Sequence, residues 1–263
     1  MKLPYFQVDA FANRSFTGNP AGVCPLRDWL PDELLQKIAM ENNLSETAFV
    51  VKRAEQWDLR WFTPAIEVDL CGHATLATAF VLHLEDPKLE NPVRFSSRSG
   101  ILSVAREKDL FILDFPSRPA QPVPCPDGMI AGLECKPAAV FKARNYLAVY
   151  ECEEEVRSLK PNFAQIAELD TQGVIVTAPG AKVDFVSRYF APKVGVPEDP
   201  VTGSAHCTLI PYWAERLGKS QLHALQVSKR GGELFCEAAG ERVKIGGRAL
   251  LYSRAEIEFD TKL

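Results

Sequence analysis

The 263 residues, 46% of them hydrophobic and carrying a net charge of −4, supply enough apolar surface for one large core or two lobes of about 130 residues each. Lys and Arg are scattered among Asp and Glu, which excludes a broad basic field and argues against a nucleic-acid partner. The start, Met1-Lys2-Leu3-Pro4-Tyr5-Phe6, lacks the apolar run of a secretory leader and no segment reaches the length of a membrane span, so a cytoplasmic chain with no membrane association is expected.

Tyr5-Phe6-Gln7-Val8-Asp9-Ala10-Phe11 alternates as a strand, and Gly18-Asn19-Pro20 turns it into Ala21-Gly22-Val23-Cys24, which predicts a hairpin-like start. From Pro31, Leu34, Leu35, Ile38 and Ala39 recur at helical spacing with Asp32 and Glu33 in the first turn, where the macrodipole favours acids. That helix is expected to end near Asn42-Asn43. The β-branched, apolar run Thr47 to Val51 reads as a strand and places Ser45-Glu46 at the junction. After Gly72, Ala74 to Leu82 is apolar on every side, the pattern of an enclosed helix. Ile101 to Ala105 and Leu110 to Phe115 read as short strands, and five prolines between Pro116 and Pro126 mark the best crossing between two lobes. Beyond it, Phe163 to Leu169 followed by Gly173-Val174-Ile175-Val176 echoes the earlier helix and strand. A second apolar helix is expected after Gly203, from Ala205 to Trp213 and interrupted by Pro211, and Val243 to Ile245 reads as a strand.

The chain repeats itself. Arg60-Trp61-Phe62-Thr63-Pro64 returns as Arg188-Tyr189-Phe190-Ala191-Pro192, and Cys71-Gly72-His73-Ala74-Thr75 as Thr202-Gly203-Ser204-Ala205-His206. Arg98-Ser99-Gly100 returns as Arg230-Gly231-Gly232, and the three offsets are 128, 131 and 132 residues. Three landmarks in one order point to duplication and to two lobes, each a sheet wrapped around one helix.

In that frame the helices after Gly72 and Gly203 would begin with unpaired N–H groups and a partial positive charge, a ready anion site if they face each other; the bland alternative is that both glycines serve tight turns. His73 stands at the first N-terminus, where the dipole disfavours imidazolium and would keep the ring neutral, although a lone His is usually structural. Glu198, Asp199 and Ser204 stand beside the second; Asp199 could simply cap the helix and Glu198 could be solvated. Glu46, between two asparagines and an apolar strand, has the partial burial that suits a general base, against the alternative of a solvated surface acid. Seven cysteines, widely spread and with no Cys-x-x-Cys pair, argue against disulfides or structural zinc. With no nucleotide-binding glycine motif and no His-x-x-x-His pair, a reaction without cofactor or metal is expected.

The ordered set Val8-Asp9-Ala10-Phe11, Gly18-Asn19-Pro20, Asn43-Leu44-Ser45-Glu46-Thr47, Phe62-Thr63-Pro64, Gly72-His73, Glu198-Asp199 and Thr202-Gly203-Ser204-Ala205 resembles the phenazine biosynthesis PhzF-like family of the diaminopimelate epimerase superfamily. The resemblance implies an α+β fold of two pseudo-symmetric lobes, each a β-barrel-like sheet around a central helix, with a catalytic cleft between them and a homodimer. The first lobe is placed at residues 1–116, completed by a strand from about 250–263, and the second at 117–249. It also implies a cofactor-independent isomerase that moves a proton between carbons of a small carboxylate, as in dihydro-3-hydroxyanthranilate. Glu46 is then the acid/base, with His73, Asp199 and Ser204 assisting. Ser45, Gly72, Thr202 and Gly203 would bind the substrate, its carboxylate held at the helix N-termini. Superfamily epimerases use two opposed cysteines instead; here Cys71 has Thr202 as its repeat partner, which disfavours a two-thiol racemase. An amino-acid-type epimerase or racemase and a non-catalytic metabolite-binding or interaction protein stand as the alternatives.

Overall fold

The computed structural model describes residues 1–54 and 56–260. Its chain divides into two compact units, Met1–Asp114 with Gly246–Leu263, and Phe115–Ile245.

In the first unit, β1 (Lys2–Ala10) and β2 (Asn19–Leu26) form the expected antiparallel hairpin, with Phe6 opposite Val23 and Ala10 opposite Asn19. The connection closes at Gly18, where φ is 75° and a Cβ would lie 2.3 Å from the Ala10 carbonyl oxygen, so only glycine fits. Helix α1 (Asp32–Asn42) buries Leu34, Leu35, Ile38 and Ala39, the face its periodicity predicts. It stops because Asn43 adopts the left-handed conformation (φ 48°) and returns its N–H to the Ala39 carbonyl. The chain re-enters as β3 (Glu46–Lys52), parallel to β2 with Ala21 opposite Glu46, and β4 (Trp57–Phe62) folds back antiparallel on β3. After the short β5 (Glu67–Val68) comes α2 (Gly72–Glu85), in which every residue from Gly72 to Ala79 is buried. Helix α2 packs against β1, β2 and β3, which explains its lack of a polar face. β6 (Val93–Ser97) then runs parallel to β4, and β7 (Gly100–Glu107) and β8 (Leu110–Pro116) follow as antiparallel hairpins.

The second unit contains β9 (Gln121–Pro122), α3 (Asp127–Leu133), β10 (Ala139–Lys142), β11 (Tyr146–Val149), α4 (Glu153–Ser158), α5 (Phe163–Ala167), β12 (Val174–Pro179), β13 (Phe185–Phe190), α6 (Gly203–Leu217), β14 (Gln221–Gln226) and β15 (Gly232–Ala239). β16 (Arg242–Gly247) leads back to the first unit, where β17 (Ala249–Glu258) pairs antiparallel along β1, Lys2 with Glu258 and Ala10 with Ala249. Positions 261–263 of the strand expected over 250–263 lie outside the described residues.

The strand pairings of the two units follow one order. β1–β2 and β10–β11 are antiparallel, β2–β3 and β11–β12 parallel, β3–β4 and β12–β13 antiparallel, β4–β6 and β13–β14 parallel, and β6–β7 and β14–β15 antiparallel. Each parallel step is spanned by helix, as a crossover requires. Even the side chains of the repeated Arg-aromatic-Phe segment agree. Arg60 holds Glu67 through Nε and Nη2, both at 2.7 Å, and lies over the Phe62 ring. Arg188 holds Glu198 at 2.7 and 3.1 Å and lies over Phe190. Both pairs are half-buried forks, the geometry in which arginine binds carboxylate best.

Pro211 does not interrupt α6, contrary to the sequence reading. A proline in a helix interior removes the N–H that would reach the carbonyl four residues back. Here that carbonyl, on Cys207, accepts from the Arg118 backbone N–H at 2.9 Å, so the lost bond is replaced from outside the helix. The second core gathers Met129, Tyr150, Val156, Ile166, Val176 and Phe190. A cluster in the first unit gathers Leu3, Tyr5, Leu35, Ile38, Phe49 and Phe62. Each large side chain fully buried in such a core contributes about 1.5–3 kcal/mol.

Candidate active site

Three chain starts converge in the first unit: Asn19 opens β2, Glu46 opens β3 and Gly72 opens α2. Because β2 and β3 are parallel neighbours, their first residues lie at the same sheet edge. The Glu46 Oε2 atom stands 3.2 Å from Nε2 of His73, a ring that is 5% exposed. On the other ring nitrogen, Asn19 Nδ2 lies 3.2 Å from Nδ1, and Ser45 Oγ donates to Asn19 Oδ1 at 3.4 Å. Cys71, the residue before α2, places Sγ 3.5 Å from His73 Nδ1. Glu46 Oε2 is shielded from solvent, and His73 Nε2, its ion-pair neighbour, is not aligned for a hydrogen bond with it.

The electrostatics correct one expectation. Burial, the largest influence on His73, pushes its imidazole pKa down, and the helix N-terminus was expected to keep it neutral. The groups it faces, Cys71 and the Glu46 carboxylate, outweigh both and hold it well above its ordinary value. A carboxylate within hydrogen-bond range acts more strongly than the partial charge of a helix end. Cys71 moves the opposite way: burial, reinforced by Glu46, pushes its thiol up to about 11, so it stays protonated near neutral pH.

In the second unit the loop before α6 is braced by a residue the sequence reading did not single out. Gln226, fully buried at the end of β14, accepts from Thr202 N at 2.8 Å and donates to the Asp199 carbonyl at 2.8 Å and to Thr202 Oγ1 at 3.2 Å. The Thr202 hydroxyl donates to Asp199 Oδ2 at 2.5 Å. Asp199 is therefore not the helix cap: Thr202 occupies that position, and no side chain caps the helix. Below it, His206 Nδ1 donates to the Thr202 carbonyl at 2.8 Å. Ser204 is exposed on the first turn. Glu198 is tied to Arg188, so it is neither free nor fully solvated.

Both Gly72 and Gly203 open their helices, and neither helix has a side-chain cap at its start. Each therefore keeps first-turn N–H groups for an anion. Of the predicted residues, the structure brings Ser45, Glu46, Gly72 and His73 together in the first unit and Asp199, Thr202, Gly203 and Ser204 together in the second. Asn19 was legible within Gly18-Asn19-Pro20. Nothing marked Gln226, because it lies more than twenty residues past the loop it holds. Gln226→Ala removes the hydrogen bonds to the buried Thr202 N–H and to the Asp199 carbonyl, and is expected to cost about 1–3 kcal/mol. A urea midpoint unchanged from wild type would show that the brace contributes nothing.

The sheet-rich α+β architecture places a buried helix that opens beside an acid and a histidine. A family model described as phenazine biosynthesis-like protein matches residues 8–255. An uncharacterized isomerase of Pseudomonas aeruginosa is 55% identical over 252 residues, covering 96% of this chain and 97% of the relative. The human phenazine biosynthesis-like domain-containing protein is 41% identical over 279 residues, covering 95% and 96%. Among solved structures, a phenazine biosynthesis protein of the PhzF family from Enterococcus faecalis superposes with a TM-score of 0.96 at 48% identity, covering 98% of this chain and all of that one. A hydroxyproline epimerase from Agrobacterium vitis shares the fold, with a TM-score of 0.61 at 11% identity over 99% of this chain and 94% of that one. The chain belongs to the phenazine biosynthesis PhzF-like family. No helix among the described residues is long and apolar enough to cross a membrane.

Proposed function

We propose that this isomerase moves a proton between carbons of a small carboxylate, without a cofactor, and that Glu46 is the group that carries the proton. The observation that carries the reading is the Glu46 Oε2 atom, left without a hydrogen bond 3.2 Å from His73. In the reaction, the Glu46 carboxylate takes the proton from a carbon, and the electron pair freed moves into the adjoining conjugated system. The same carboxylic acid then returns the proton at another carbon, so atoms and charge balance with nothing added. His73 holds the carboxylate's edge and is itself held by Asn19, which fixes the ring's orientation. The uncapped start of α2 supports binding of the substrate's carboxylate there. Asp199 and Ser204 are assigned to assist the proton transfer, and Thr202 and Gly203, with Ser45 and Gly72, to substrate binding. The working form is read as a cytoplasmic homodimer.

The test is proton NMR in deuterated water with dihydro-3-hydroxyanthranilate. Product carrying carbon-bound deuterium is the expected result, while neither product nor exchange means that another small carboxylate must be sought or the catalytic reading dropped.

The epimerase alternative turns on Cys71. Its protonated thiol and the threonine at the repeat-related position both disfavour a thiolate base. Cys71→Ser is therefore expected to retain turnover within about tenfold, less than the 10²–10⁴-fold that removing an acid/base costs. Complete loss of turnover in that variant, with the fold intact by circular dichroism, would favour the thiol mechanism.

A further inference from the structure

We propose that Glu46, Cys71 and His73 form a binding site for a borderline-soft divalent cation of the zinc class. Among the described residues this is the one group of three such side chains whose ligand atoms all lie within 4.8 Å of one another. Glu46 Oε2 to His73 Nε2 is 3.2 Å, and His73 Nε2 to Cys71 Sγ is 4.0 Å. A tetrahedral zinc with bonds of about 2.0–2.3 Å needs ligands about 3.3–3.7 Å apart, so small side-chain adjustments suffice.

Three further features fit a cation. Glu46 Oε2 is a buried oxygen whose neighbour, His73 Nε2 at 3.2 Å, is not aligned to hydrogen-bond it, and a metal between the two would engage both. The donor set of thiolate, imidazole and carboxylate selects zinc or cobalt over magnesium or calcium, which take oxygen ligands. The ligands also sit on the first residues of a strand and a helix or directly beside them, backbone that the sheet and core hold in place. With Nε2 on the metal, Nδ1 keeps its proton, and the Asn19 side chain, whose Nδ2 lies 3.2 Å from Nδ1, must turn its amide so that Oδ1 accepts that proton. On binding, the Cys71 S–H and His73 Nε2–H bonds break, the S–metal and N–metal bonds form, and both protons pass to solvent. The positive end of α2 opposes a cation, and two anionic ligands outweigh it. Three protein ligands leave a fourth position for water.

Occupancy engages the lone pair that Glu46 needs as a base, so the cation should switch turnover off. That consequence rests on the proposed reaction, whereas binding does not.

The experiment titrates the full chain with cobalt(II), then competes with zinc(II). Wild type should take up one equivalent with a thiolate-to-cobalt charge-transfer band, which zinc bleaches. Cys71→Ser should lose the band, and Cys152→Ser, which removes the exposed thiol, should keep it. Glu46→Gln should keep the band but bind at least tenfold more weakly, about 1.4 kcal/mol. No band in wild type, a band that survives Cys71→Ser, or one that disappears with Cys152→Ser overturns the site. Unchanged affinity in Glu46→Gln overturns the three-ligand assignment. Because the readout is spectroscopic, cobalt binding in a protein that shows no isotope exchange would sink the reaction and uphold the site.

Discussion

Glu46→Gln is expected to lose carbon-proton exchange and product formation by about 10²–10⁴-fold, the range over which positioned acid/base groups act. The amide matches the carboxylate in size and can still accept a hydrogen bond, but it cannot take a proton near neutral pH. The backbone of this residue pairs with Ala21 in the β2–β3 ladder, and the substitution leaves that pairing alone. The loss should therefore fall on kcat while KM stays near wild type, the pattern of an interaction made only in the transition state. A second readout follows from the electrostatics. Glu46 is one of the groups that hold His73 up against burial, so in Glu46→Gln the His73 ring should titrate lower than in wild type. NMR of the imidazole C–H signals would show this directly. Retained exchange in a folded variant would remove Glu46 from the chemistry.

The second large effect concerns acid stability and resides in α6. His206 is fully buried, tilted against Phe185, with Nε2 unpartnered. Burial pushes its pKa down to about 4, with the Thr202 carbonyl opposing more weakly. In the unfolded chain a histidine titrates near 6.5. Between those values the unfolded chain binds a proton that the native one refuses, so ν_U exceeds ν_N and stability rises with pH across the window. The contribution is whole above pH 6.5 and is lost as pH falls toward 4, approaching about 3 kcal/mol at about 1.4 kcal/mol per unit. His206→Asn keeps a donor near the Thr202 carbonyl but cannot be protonated. Its unfolding free energy from urea titration should therefore fall less steeply than wild type between pH 6.5 and 4.5. Parallel curves for the two proteins would refute the assignment, whatever their absolute offset.

Local pattern carried much of the architecture. The 3.6-residue spacing of Leu34, Leu35, Ile38 and Ala39 places α1, because one apolar stripe has one way to face a core. The all-apolar run after Gly72 marks an enclosed helix for the same reason. Glu46 and His73 could be singled out from their positions, one at the entrance to an apolar strand and the other at a helix start. Their 3.2 Å contact could not, since it depends on β2 and β3 pairing in parallel and on α2 packing against them. The neutral His73 expected from the dipole failed because a sequence gives no distance to the opposing charge.

Pro211 shows the limit from another direction. Its residue type states only that a hydrogen bond is missing, and whether the helix survives depends on Arg118, more than ninety residues earlier, reaching the Cys207 carbonyl. Gln226 left no sequence signal, because a buried amide is useful only through the backbone groups it meets. Periodicity, turn chemistry and internal repetition are encoded in neighbouring residues, and the sequence by itself determined the elements and the residue types available for chemistry. Distances, burial and the sign of the His73 shift arise from contacts between distant segments, and these only the tertiary structure decided.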